Sequence, residues 1–279
     1  MPVRRPPGAR RSWLFVAGAD EAAHAAAARS GADVIVLELE DFTPPSLRAR
    51  ARALSPGALE RWRKAGAVAA VRINPLETCG REDLAGVVGA RPEIILMSKV
   101  AAPEQVKALE EATGGVVDLV PNIESAAGLL RTAEIARASR RVTAMLVASE
   151  DMVADLGTSR SRGGQELAYV RSRFLVECRA AAVEAIDCPY TFSDLNGAIA
   201  DARYAKQLGY RMKSLVDPKH AKALNAVFTP SPAELKKAAR IVKAFERARA
   251  AGRARARVDG ALIEVPIYAA AKRLLDSTK

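Results

Sequence analysis

Histidine and cysteine are scarce in this 279-residue chain, which holds two histidines (His24, His220) and three cysteines (Cys79, Cys178, Cys188). Two scattered histidines exclude a histidine-based zinc site. Three cysteines without a C-x-x-C pair exclude a disulfide framework. Any metal therefore falls to carboxylates, which select a hard cation such as magnesium or manganese. Aromatics make up 5% of residues, and of these only Phe245 falls within the basic stretches Arg4–Arg11 and Lys236–Arg257, so the stacking platforms and motifs of a nucleic-acid binder are missing. No apolar run approaches the roughly 18 residues that span a bilayer, which speaks against a membrane protein. The basic N-terminus enters a short apolar run without a small-residue cleavage site, so a cytoplasmic protein is expected. The first strand-like run is not followed by G-x-G-x-x-G, which weakens a dinucleotide-binding sheet.

What is present is an ordinary globular composition, 49% apolar and 27% charged, with a net charge of +11. Arginine supplies 31 of the 43 cations, densest at Arg4–Arg11 and from Lys236 to Arg257. A solvated basic surface that attracts anionic metabolites accounts for this charge. At 29.7 kDa the length suits one α/β barrel or one large doubly wound sheet.

Eight short apolar or β-branched runs recur along the chain: SWLFVAG from Ser12, DVIVLELE from Asp33, AVAAVRINP from Ala67, EIILMSKV from Glu93, VVDLVPNIE from Val116, VTAMLVASE from Val142, AIDCPYT from Ala185 and YRMKSLV from Tyr210. Near-continuous apolar runs are strands covered on both faces, as in a parallel sheet. Alanine-rich segments of helical period separate them. Eight β/α units in about 220 residues is the arithmetic of a (β/α)8 TIM barrel. The expected division is a barrel over residues 1–228 and a C-terminal helical extension or lid over 229–279. In the extension Ser231 reads as an N-cap, Pro232 as the first helical residue and Gly252 as the stop. The basic run Lys236–Arg257 is helix-like and ends in GRARARV, and a turn at Asp259–Gly260, a short extended piece and a last helix follow.

A barrel's chemistry lies at the C-terminal ends of its strands. The charged residues there are Glu38, Glu40 and Asp41 on the second run, Arg72 with Asn74 on the third, Lys99 on the fourth, Glu124 on the fifth, and Glu150 with Asp151 on the sixth. Each acid taken alone reads equally as a cap or first-turn acid of the next helix, and Arg72 and Lys99 read equally as ion-pair residues. Their convergence on one rim points to a divalent-metal site with an electrophilic partner. The loop Gly157–Gly164 reads either as a closure over an anionic substrate through Arg160 and Arg162 or as a plain solvated loop. Cys188 reads as a packing residue.

The strings RSWLFVAG, LELED, VRINP, PNIESAAGLL, ASEDMVADLG and KSLVDP…NAVFTPSPAE, in this order over nearly the whole chain, resemble the citrate lyase β-subunit-like (CoA-ester lyase) branch of the HpcH/HpaI aldolase superfamily. The resemblance implies a TIM barrel, a homo-trimer or homo-hexamer, and Mg2+ as cofactor, with Mn2+ in its place as a variant. It implies a carbon–carbon lyase that makes or breaks the bond between an acyl-CoA enolate and a 2-oxo acid. By motif, Glu124 and Asp151 are then the metal ligands and substrate-binding residues. Arg72 contacts substrate oxygens. Glu40 and Asp41 are the acidic pair, and Glu264 is the tail acid that transfers a proton in a neighbouring subunit's site. The chain departs from the family pattern at Ala17 for Pro, Asp217 for His, Glu38 for Asp and Glu264 for Asp. Two alternatives stand beside this expectation: a CoA-independent metal-dependent aldolase on small hydroxy-oxo acids, and a non-catalytic barrel that binds a partner through the basic Lys236–Arg257 stretch.

Overall fold

The structure, a computed structural model, describes residues 5–276. The chain divides into two compact units, Met1–Phe228 and Thr229–Lys279.

In the first unit eight parallel strands close into a barrel in sequence order. They are β1 (Ser12–Ala17), β2 (Val34–Glu38), β3 (Val68–Ile73), β4 (Ile94–Met97), β5 (Asp118–Ile123), β6 (Ala144–Val147), β7 (Glu184–Asp187) and β8 (Met212–Leu215). The connecting helices are α1 (Glu21–Ala28), α2 (Arg48–Lys64), α3 (Gly80–Val87), α4 (Pro103–Ala112), α5 (Ala126–Leu130), α6 (Thr132–Arg137), α7 (Glu150–Asp155), α8 (Ala168–Ala180), α9 (Leu195–Leu208) and α10 (Ala221–Phe228). This is the (β/α)8 TIM barrel that the eight apolar runs imply.

Strand alternation splits the core into two layers. Phe15, Val36, Ala70, Leu96, Val120, Leu146 and Met212 fill the inside of the barrel. Leu14, Leu37, Val71, Ile95 and Leu119 face the helices. Two residues beyond the inner apolar layer the same face carries Glu38, Arg72 and Asn122, and Glu124 follows one residue past β5, so the pleat that builds the core also delivers the charges to the rim.

The β2 ladder ends at Glu38, two residues short of the apolar run. The Glu38 carboxylate accepts from the Glu40 and Phe42 backbone N–H groups, each at 2.6 Å, and this turns the chain out of the sheet. Thr43 locks the turn by donating its hydroxyl to the Glu38 carbonyl at 2.5 Å and accepting from Gly18 N–H at 3.0 Å. A Cβ on Gly18 would lie 2.7 Å from the Glu38 carbonyl, so only glycine admits this approach.

The second unit begins with α11 (Pro232–Ala250), opened by a capping box between Ser231 and Glu234 with Pro232 at its first position. The helix stops just before Gly252, as the sequence implies, and the end of the basic run, which looks helix-like in sequence, leaves it. Gly252 takes a left-handed conformation (φ 71°), and Ala256–Val258 forms β9, antiparallel to β10 (Ala261–Ile263). Asp259 and Gly260, both at positive φ, make the two-residue turn that favours Asp-Gly. The last helix, α12 (Val265–Asp276), contributes to a separate small core of Ala238, Ile241, Phe245, Val258, Ile263 and Ala271, with Phe245 stacked on Tyr268 at 4.7 Å. Among the described residues no helix is long and apolar enough to cross a membrane.

Candidate active site

Arg72 is the hub of the rim. It leaves β3 on the inner face, 7% exposed, and its guanidinium meets three carboxylates: Nε to Glu38 at 2.9 Å, Nη2 to Glu40 at 3.2 Å and Nη1 to Glu124 at 3.8 Å. Its central carbon also lies 5.2 Å from the Phe15 ring centroid and 5.8 Å from that of Phe42, within cation–π range. Burial opposes its charge, but Glu38, Glu124 and Glu40 outweigh this and raise its pKa.

The two acids of β2 and its turn divide the work. Glu38 is committed to the backbone of the turn and to Arg72. Glu40 holds Lys99 Nζ at 2.6 Å, and Lys99 reaches Asp41 at 3.8 Å. Lys99 makes this contact from a left-handed backbone conformation (φ 55°), uncommon for a residue with a side chain. Burial raises the Glu40 pKa against the pull of Arg72 and Lys99. The hydrogen bond to Glu40 is the main cause of the raised Lys99 pKa. Asn74, the other polar residue of the R-x-N string, bonds to the Leu39 carbonyl and to Asp83, both at 2.8 Å, and is a scaffold residue.

Glu124 is not a helix cap. That role belongs to Ser125, whose hydroxyl accepts from Gly128 N–H. Glu124 is 3% exposed and neither of its oxygens has a hydrogen-bond partner. Burial, with Glu40, Asp151 and Asp41 adding to it against Arg72, pushes its pKa up to about 8. Asp151 sits in the first turn of α7; its charge acts on both Glu124 and Lys99. A cleft of about 110 Å3 is lined by Arg72, Asp41, Asp151, Ser149 and the two phenylalanines, but not by Glu124. A roomier cavity of about 640 Å3 lies between α3 and α4; it is apolar with two arginines and holds none of the groups that the rim chemistry needs.

The rim therefore brings Glu40, Asp41, Arg72, Glu124 and Asp151 into one electrostatic neighbourhood. Glu264 belongs to the second unit, at the junction of β10 and α12, where it pairs with Arg255 at 3.0 Å. Arg160 and Arg162 are both engaged: Arg160 with Glu166 at 2.7 Å, Arg162 with Asp194 and over the Phe192 ring. Neither guanidinium is free to close over a substrate as placed. Cys188 is buried among packing residues, and burial pushes its thiol pKa up to about 12.

Sequence reasoning missed the aromatic clamp on Arg72, because Phe15 sits inside an apolar run and Phe42 in a loop. It also missed a buried ion cluster between the barrel and its helices. Arg171 of α8 grips Asp187 through two bonds of 2.8 and 2.6 Å. Lys213, 0% exposed, binds Asp187 and Asp201 at 2.6 and 2.5 Å. The only sign was a charged residue inside each of two short apolar runs.

Residues 11–218 match the HpcH/HpaI aldolase/citrate lyase family. This chain belongs to that family. It is 31% identical to the citrate lyase subunit beta of Leuconostoc mesenteroides subsp. cremoris, over 95% of this chain and 92% of that one. It is 34% identical to a (3S)-malyl-CoA thioesterase of Cereibacter sphaeroides, over 91% of this chain and 89% of that one. Among solved structures, the CitE protein of Mycobacterium tuberculosis in complex with magnesium, acetoacetate and coenzyme A is 26% identical with a TM-score of 0.81, covering 97% of this chain and 98% of that one. A citrate lyase beta subunit from the same organism, complexed with oxaloacetate and magnesium, is 28% identical with a TM-score of 0.69, covering 80% and 99%. The chain is thus a lyase of the citrate lyase β-like branch, and the reading as a non-catalytic barrel is set aside.

Among the described residues no three His, Cys, Asp or Glu side chains converge closely enough to hold an ion by themselves. The carboxylates of the rim fit a hard cation. Glu124 presents two buried oxygens without hydrogen-bond partners, 3.8 Å from Arg72 at the nearer one. Five carboxylates (Glu38, Glu40, Asp41, Glu124, Asp151) face only two cations, Arg72 and Lys99, in a protein that is otherwise strongly basic. A divalent ion balances that local excess.

Proposed function

We propose that this chain is a Mg2+-dependent carbon–carbon lyase acting on a β-hydroxy acyl-CoA of the malyl-, citramalyl- or citryl-CoA type, giving an acyl-CoA and a 2-oxo acid. The observation that carries the proposal is the bare, buried Glu124 carboxylate beside a clamped Arg72 at the barrel rim. The similar proteins whose structures hold magnesium with oxaloacetate, or with acetoacetate and coenzyme A, support it.

Glu124 and Asp151 would hold the cation. When bound, it supplies a Lewis acid and a template for the oxygens of the oxo acid. Cleavage requires a base to take the hydroxyl proton of the substrate; the electrons of the breaking carbon–carbon bond pass to the α-carbon of the acyl thioester, which is then protonated. Arg72 is fixed by three carboxylates and two rings, so its charge is already in place where oxyanion charge develops. Glu40 and Asp41 at the rim, or Glu264 of an adjacent subunit, carry the proton. Lys99 keeps Glu40 in position. A homo-trimer or homo-hexamer is the assembly in which a tail acid serves a neighbour.

The experiment is a screen of malyl-, citramalyl- and citryl-CoA for release of free 2-oxo acid, with and without EDTA. Turnover that EDTA abolishes and added Mg2+ or Mn2+ restores is the expected result. Cleavage only of the CoA-free hydroxy-oxo acids would assign the chain to the sibling aldolase chemistry instead. Asp151→Ala should remove the metal-dependent activity and leave cooperative unfolding intact, since a rim carboxylate carries little of the core.

A further inference from the structure

Asn122 stands two residues before Glu124; strand alternation puts Asn122 on the inner face of the barrel, and Glu124, one residue past the strand, meets the inner-face Arg72. Two of its neighbours are apolar: Val120, two residues earlier, and Leu146, its ladder partner on β6, both belong to the interior cluster. The Asn122 backbone is used normally, its carbonyl accepting from Val100 N–H at 3.0 Å. The side chain is not. It is 0% exposed, and neither Oδ1 nor Nδ2 has a hydrogen-bond partner.

A primary amide brings two donor hydrogens and two acceptor lone pairs. Sealed inside a barrel with all of them unused, it contradicts the near-universal pairing of buried polar groups, unless ordered water completes it. Glu124 shares part of this defect: both its oxygens are buried and lack a hydrogen-bond partner, with Arg72 Nη1 at 3.8 Å from the nearer one. Positions i and i+2 of a strand are about 6.5 Å apart, a span that one water bridges with two bonds of about 2.8 Å. Asn122 can donate to that water through Nδ2 or accept from it through Oδ1, and the water's hydrogen suits a carboxylate oxygen.

We propose that Asn122 holds an ordered internal water beneath Glu124, and that this water fixes the orientation of the Glu124 carboxylate. Asn122 is then a positioning residue of the site, and the space between the two side chains is a built water site. The inference rests on the reading of Glu124 as a ligand for a divalent cation. An apolar residue at 122 packs against Val120 and Leu146 but leaves the carboxylate free to turn. A small one leaves room for water to remain.

The test uses the full-length protein, Mn2+ alone as the probe, and electron paramagnetic resonance of the free ion as the readout. Asn122→Leu should unfold cooperatively at or above the wild-type temperature without metal, and should bind Mn2+ on the order of tenfold more weakly, as loss of a ligand's supporting hydrogen bonds does elsewhere. Asn122→Ala should keep most of the affinity. Unchanged Mn2+ affinity in Asn122→Leu, or an equal loss in both variants, overturns the proposal. Should Asn122→Leu fail to fold, a high-resolution crystal structure of the unsubstituted protein decides: a water within hydrogen-bond distance of both the Asn122 amide and a Glu124 oxygen is expected, and a dry Asn122 refutes it. If the unsubstituted chain binds no Mn2+, the metal reading fails by itself, and the same crystallographic water still decides whether Asn122 supports Glu124.

Discussion

Arg72 carries two burdens that a substitution separates. It neutralises buried Glu38, so truncating it strands that charge in the interior; Arg72→Ala should cost roughly 3–5 kcal/mol of stability, read by denaturant unfolding. Arg72→Lys keeps the charge but loses the planar fork that engages three carboxylates through Nε, Nη1 and Nη2. Turnover should then fall on the order of 10²-fold or more while the protein stays folded. Near-normal turnover in the lysine variant would make Arg72 a purely structural ion-pair residue. Arg72 and Glu124 were legible as strand-end charges because the pleat and the barrel rule together say where such residues go. The split between Glu38 and Glu40 was not. Two acids on one strand face look alike until the turn shows which of them catches the backbone N–H groups. Asn122 was illegible for a related reason: an amide within an apolar run declares itself only when its missing partners can be counted.

Among the elements, the loop from Gly157 to Gly164 shows why a run of arginines is a poor guide to a lid. Glu166 organises it, accepting from Ser161 N–H at 2.9 Å and from the Ser161 hydroxyl at 2.5 Å while pairing with Arg160. Burial opposes the charge on Glu166, but the Ser161 and Arg160 hydrogen bonds outweigh it and bring its pKa down to about 2. A carboxyl with a depressed folded pKa stabilises the fold fully above its unfolded value, and that contribution fades as pH falls toward the folded value. The stability gap between the unsubstituted protein and Glu166→Gln should therefore be constant near neutrality, shrink from about pH 4.5 downward, and close near pH 2. Urea unfolding of both proteins across that range measures it, and a gap that does not change with pH would mean Glu166 gains nothing from its partners. The tail hairpin was half legible. Asp259–Gly260 announced its turn, but the alternation in RARARV has an exposed, charged face that reads as the end of a basic helix. Only pairing with Ala261–Ile263 makes it a strand.

At the scale of the molecule, charge and architecture divide in the same place. Residues 229–279 hold twelve lysines and arginines against five acids, so about a fifth of the chain carries +7 of the net +11, while the barrel rim is a concentration of carboxylates. The tail also has a core of its own. Within this unit Glu264 lies between apolar residues, Ile263–Glu264–Val265, and pairs with Arg255. If Glu264 carries the proton for an adjacent subunit, then Glu264→Gln should lower turnover sharply with little change in Mn2+ affinity, because its carboxylate is no ligand of that ion. Asp151→Ala should lose both. The decisive measurement mixes the two inactive proteins after verified subunit exchange. In a mixed oligomer some barrels with intact Asp151 meet tails with intact Glu264, so a fraction of sites is complete and activity returns. If each site uses its own chain's tail, a Glu264→Gln subunit never gains an acid and an Asp151→Ala subunit never gains a ligand, and mixing restores nothing. A monomer in solution would exclude the shared site without kinetics. With no acid lent between subunits, the proton carrier is Glu40 or Asp41, which Lys99 already holds at the rim.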